Sequence, residues 1–205
     1  MYSKEQFSGD FIRAYGYLGA ADFRFGQLTQ RAKLYIDSCF SVYQNAATNP
    51  LGSLVVGRIV KKDGNGQRLN LEKIGRGLDD IERANFRTTN AGSNGSVLDT
   101  DDWSHPLNDS WVMGGIHAKL DFYLASPRTE GNILDPEFGA TVTGRELLGL
   151  TTFGYTLHPN TRLGEVYVCT DQGRALTATF VAYENAFSEA KGRGGFKSLV
   201  NKDAK

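Results

Sequence analysis

The densest run of chemically capable side chains in this chain is Asp99, Asp101, Asp102, Trp103, His105 and Asp109. Carboxylates beside an imidazole can bind a divalent cation, or can pass a proton between a general acid and a general base. The same residues have a plainer use, capping a helix that opens near Asp109 and solvating a turn before His105-Pro106. No established metal-ligand spacing is matched. A second group centres on His117. Ile116, Ala118, Leu120, Phe122 and Leu124 alternate with His117, Lys119, Asp121 and Tyr123, so a strand would put the second set on one polar face. If the segment is helical instead, His117 and Asp121 meet at i and i+4. Either geometry lets a carboxylate orient an imidazole. The candidate catalytic set is therefore His117, Asp121, His105, Asp101 and Asp102, against the plainer reading of a solvated face beside a structural histidine.

The remaining polar groups are weaker candidates. His158 lies in Leu157-His-Pro-Asn160, which reads as a turn. Arg128-Thr-Glu130 and Arg145-Glu146 are isolated pairs, and Glu146 is taken up by a capping box. Cys39 and Cys169 sit in apolar surroundings that blunt a thiol's nucleophilicity, and read as small core residues; whether they pair is left open. Asp63-Gly-Asn-Gly-Gln resembles the start of a calcium loop, but Arg68 and Ile74 stand where glycine and glutamate are needed. Gly192-Arg-Gly-Gly195 has no strand-then-helix context and reads as tail rather than phosphate cradle. Neither a metal site nor a cofactor is assigned.

Elements that would position these groups follow from periodicity and punctuation. Ser3-Lys-Glu-Gln6 is a capping box, and Phe7, Phe11, Tyr15 and Leu18 continue a helix ending near Gly19. Leu28, Ala32, Tyr35, Ile36, Cys39, Phe40, Tyr43 and Ala47 form one apolar stripe, predicting a helix over 27–47 that Asn49-Pro50 stops. Leu54–Val60 is β-branched and predicts a strand before the turn Asp63–Gly66. Asn70 caps a further helix carrying Leu71, Ile74, Leu78 and Ile81. Residues 88–97 form a polar loop and a sub-boundary.

Residues 109–126 satisfy both periods. A helix from Asp109 to about His117, capped by Asp109 or Ser110, followed by a strand from Leu120 to Ser126 reconciles them; Gly114-Gly115 argues against one continuous helix. Thr143-Gly-Arg-Glu146 is a second capping box, starting a helix over 144–153 that Gly154 ends. Leu163–Thr170 and Leu176–Tyr183 flank Asp171-Gln-Gly-Arg174 and predict an antiparallel hairpin. A short helix near Glu184–Lys191 precedes a loose tail.

The expected fold is α+β, with a helical N-terminal half packed on a mixed or antiparallel sheet formed mainly by the C-terminal half. The expected organisation is a single domain over 1–190 and a flexible tail over 191–205. With 205 residues and 40% hydrophobic content, a chain can build a core without disulfides or structural metal. Formal net charge is zero, which removes the basic excess expected of a nucleic-acid or anionic-membrane binder. No signal-peptide pattern and no membrane-length apolar run are present, so the expected location is cytoplasmic, or exported without a cleavable signal. Two functional expectations remain. The first is a binding or interaction domain with an unidentified partner, as a component of a bacterial assembly or a delivered effector. The second is a small hydrolase or toxin-like domain using the Asp/His cluster.

Overall fold

The computed structural model describes residues 1–16, 29–49, 52–57, 104–124, 126–160 and 164–204. In chain order the elements are α1 (Lys4–Tyr15), α2 (Gln30–Ala47), β1 (Ser53–Val56), α3 (His105–His117), β2 (Asp121–Leu124), α4 (Glu130–Ile133), α5 (Val142–Thr152), β3 (Tyr155–Asn160), β4 (Gly164–Cys169), α6 (Gln172–Leu176) and α7 (Phe180–Arg193), with a final 3-10 turn at Gly195–Leu199. The strands form one mixed sheet of order β1-β2-β4-β3, in which β1 and β2 are parallel and the other pairs antiparallel. The fold is α+β, and β2, β3 and β4 all come from the C-terminal half.

Local signals explain the helix starts. Ser3 closes the expected capping box with Gln6, and Thr29 caps α2 through the Ala32 amide. Ala32, Ile36, Cys39, Phe40 and Tyr43 are buried along α2, as the stripe requires. Helix α3 is buried on every side from Pro106 to His117, the pattern of a helix at the centre of a core rather than on its surface. Its two glycines are its contact points. A Cβ on Gly114 would run into the carbonyl oxygen of Tyr43 and lie 2.9 Å from Ala46 Cβ, whereas one on Gly115 would lie 2.5 Å from Leu54 and 2.6 Å from Phe122. The glycine pair therefore lets α3 press against α2 on one side and the sheet on the other. Helix α3 runs through Gly114 and Gly115 and ends at His117, and Lys119, at φ 58°, turns the chain into β2.

Several local readings are corrected. Helix α3 is capped by Ser104, not by Asp109 or Ser110, both of which lie inside it; Pro106 occupies the first turn, where its missing N–H costs nothing. Helix α5 is capped by Thr141 through Gly144 N, so Thr143 and Glu146 do not form a capping box. The expected hairpin around Asp171–Arg174 is absent: β4 pairs instead with β3. Asp171 caps α6 by accepting from Arg174 N, and Thr179 caps α7 through Ala182 N. The turn reading of His158 gives way to a place in β3, where Pro159 is tolerated because β3 is a sheet edge. The end of the chain does not hang loose as far as Leu199. Phe196 and Leu199 are buried, and Arg128 donates to the Leu199 carbonyl at 2.8 Å. Cys39 and Cys169 are both free thiols, and burial pushes the Cys39 thiol up to about 12. The readings at 58–60, Asp63–Gly66, the Asn70 helix, the 88–97 loop, Asp99, Asp101 and Asp102 fall outside the described residues.

The close approach of α2 and α3 yields a direct test. Gly114→Ala should lose at least about 1–3 kcal/mol in chemical denaturation, the usual cost of overpacking a filled core. Gly131→Ala, where an added Cβ meets nothing within 4 Å, should stay within about 0.5 kcal/mol of the parent. Equal, small effects at both positions would show that α2 and α3 are not in backbone contact.

Candidate functional site

Asp109 sits in the middle of a fully buried helix at 0% exposure, where an unpaired carboxylate would be prohibitive. Its partner is Arg145 on α5, itself only 6% exposed. Arg145 Nε donates to both Asp109 oxygens, at 2.9 and 3.1 Å, and Nη2 donates to Oδ2 at 2.6 Å. Nη2 also pairs with Glu184 on α7. The Tyr15 hydroxyl donates to Asp109 Oδ2 at 2.6 Å, and the Tyr183 hydroxyl donates to the Arg145 carbonyl at 2.9 Å. The guanidinium also lies over the Phe187 ring, 4.4 Å from its centroid. Four helices, α1, α3, α5 and α7, thus meet at one ion-paired centre. Burial works against the guanidinium charge, but the Asp109 carboxylate outweighs it and holds Arg145 protonated.

Beside this centre opens a pocket of about 550 Å³, whose apolar lining is Tyr15, Pro106, Phe138, Ala140 and Phe187. Arg145, Glu184, Lys191, His105, Ser104 and Thr141 supply its polar groups. That volume is in the range of small-molecule sites, which combine apolar walls with a few placed polar groups. His105 stands at its edge. Burial of the ring and the nearby Arg145 charge lower its pKa, opposed by Asp109 and Glu184.

The other candidates go elsewhere. His117 is buried and both of its nitrogens are engaged: Nε2 with the Ala178 carbonyl at 2.9 Å and Nδ1 with the Tyr43 hydroxyl at 2.8 Å. A carbonyl can only accept, so Nε2 carries the proton and Tyr43 donates to Nδ1. Tyr43 Oη in turn accepts from the Tyr2 amide at 2.7 Å. Burial lowers the His117 pKa. The ring belongs to α3, not to a strand face shared with Lys119, Asp121 and Tyr123. Asp121 opens β2, half-buried; burial raises its pKa and the neighbouring His158 lowers it. His105 and His117, at opposite ends of α3, do not share a cleft. Among the described residues no group of three or more His, Cys, Asp or Glu side chains could hold a metal ion, and no helix is long and apolar enough to cross a membrane.

Sequence reasoning missed Arg145, Glu184, Tyr15, Phe138, Phe187 and Lys191. One signal was available. Arg145-Glu146 precedes Leu147, Leu148 and Leu150 on a short helix, and charges at the head of so apolar a helix must find buried partners. Glu146 is the second such charge. It is buried, accepts from Asn108 Nδ2 at 3.1 Å and from the Gly57 amide at 3.0 Å, and so joins α5 to α3 and to the end of β1. Burial, helped by the nearby Asp109 charge and opposed by those two donors, pushes its carboxyl up to about 7.

No family model matches the chain, and no curated protein or solved structure matches it.

Two outcomes follow. Asp109→Ala leaves the buried guanidinium with Glu184 as its remaining carboxylate partner and should cost about 3–5 kcal/mol by urea unfolding; a loss under about 1 kcal/mol would mean Arg145 reaches water. Glu146 binds its proton more tightly in the folded state than in the unfolded state, where carboxyls titrate near 4.5. Its contribution is therefore complete below that value and is lost as pH rises through about 7. Glu146→Gln should remove that loss, on the order of a few kcal/mol between pH 5 and 8. Parallel stability–pH curves for parent and variant would show that Glu146 titrates normally.

Proposed function

We propose that this chain is a binding domain, and that its ligand enters the pocket above Arg145. One observation carries the reading: the ionic groups at the base of the pocket are already committed to one another. Asp109 is held by Arg145 and Tyr15, and Arg145 by Asp109 and Glu184. Such a centre is rigid and preorganised, which lowers the ordering cost of binding. The walls are apolar and aromatic, and Phe138 stands 57% exposed at the rim. An exposed phenylalanine beside a preformed pocket is an anchor for a ligand or a partner side chain.

His105 favours a second reading, a hydrolase in which this imidazole, its pKa lowered by burial, acts as general base beside Glu184. On that reading His105→Ala abolishes turnover and leaves binding intact. His117→Ala separates structure from chemistry on either reading. It should cost about 2–4 kcal/mol of stability, because it strands the Tyr43 hydroxyl and the Ala178 carbonyl.

A fragment screen followed by two-dimensional NMR tests the binding reading. Hits should move the amides of Phe138, Thr141, Arg145, Phe187 and Lys191 together. Phe138→Asp should weaken them at least ten-fold with an unchanged melting temperature. Hits that avoid these amides, or that ignore Phe138→Asp, would overturn the proposal.

A further inference from the structure

Building on that binding reading, we infer that the pocket takes a small hydrophobic carboxylic acid, its ring or chain against Phe138, Phe187 and Pro106 and its carboxylate between Arg145 and Lys191. Part of the Arg145 guanidinium is left uncommitted. Arg145 spends Nε and Nη2 on Asp109 and Glu184. Nη1 takes part in none of those bonds, although the side chain is more than nine-tenths buried and lines the pocket. A guanidinium locked along one edge offers its remaining donors in a fixed direction, which suits a planar carboxylate.

The charged groups around the pocket bound the charge of its ligand. Arg145 and Lys191 face it as cations and Glu184 as an anion, with Asp109 behind. These formal charges cancel. Ser104 and Thr141, the caps of α3 and α5, line the pocket, and so do Tyr15 and Lys191 in the last turns of α1 and α7. Helix starts and helix ends carry partial charges of opposite sign, so the backbone leaves the balance near zero. The cationic groups open to a ligand are therefore Arg145 and Lys191, set among largely apolar walls. Its volume of about 550 Å³ is suited to a small molecule and too small for a folded partner. Glu184 sets a limit on ligand charge, since a dianion would press against it; a monocarboxylate would not.

Lys191 is the position for a charge test. It lies on the exposed face near the end of α7 and has no role in the buried ion pairs. Binding of 3-phenylpropanoate and of its neutral amide, 3-phenylpropanamide, would be measured by calorimetry and by NMR on the full chain. The acid should bind at least ten-fold more tightly than the amide, with the advantage shrinking as salt is raised. Lys191→Glu should erase most of that advantage. N-acetyl-Gly-Phe presents the same ring and carboxylate at a peptide end; binding tighter than that of 3-phenylpropanoate would overturn the free acid in favour of a protein C-terminus. Equal affinity for acid and amide, both moving the pocket amides, would overturn the carboxylate inference while the binding reading survives. If neither compound moves those amides, and fragment hits avoid them too, both fall.

Discussion

The buried pair of Asp109 and Arg145 is the constraint on which the helical layer depends. Two charges removed from water lose several kcal/mol each of solvation, and they regain it only with good geometry and satisfied neighbours. Here the carboxylate takes bonds from Nε, Nη2 and the Tyr15 hydroxyl, while the guanidinium adds Glu184 and the Phe187 face. Meeting those demands fixes α1, α3, α5 and α7 relative to one another. The pocket is a by-product of that arrangement: helix starts and aromatic side chains gather around a centre that cannot collapse further without breaking ion pairs.

A second polar network does for the N-terminus what the ion pair does for the middle of the molecule. Tyr2 donates through its amide to Tyr43 and through its hydroxyl to Asp10, and Asp10 also accepts from Phe180 N at 2.6 Å. Tyr43 continues to His117, and His117 to Ala178. Phe7, Phe11 and Phe180 pack around this chain of bonds. The arrangement explains why His117 is a structural group. Its hydrogen-bonding capacity is used in joining α2 and α3 to the turn before α7, so little remains for a substrate.

Residue types and spacing carried much of the fold. The α2 stripe, the Ser3 capping box, the start of β1 and the helix–strand division near residue 118 are all local properties, set by side-chain periodicity and by hydrogen bonds that span three or four residues. Where several local partners competed, the reading failed. Thr141 and Thr143 both precede a helix, and only packing decides which one caps it. Asp171-Gln-Gly-Arg174 suits a turn or a cap equally well, and the cap prevails because β4 already pairs with β3 and β2.

The site was less legible, for a different reason. His105 was singled out only as a member of the Asp99–Asp109 cluster, with the helix expected to open near Asp109 rather than at His105. Asp109 and Arg145 are 36 residues apart, and Arg145 and Glu184 are separated by 39; no periodicity links them. The sequence by itself determined that charges stand inside apolar helices, which obliges them to find partners. Which partners they find was decided only by the tertiary structure, because a buried charge is neutralised by whatever the packing of distant helices brings within hydrogen-bond reach.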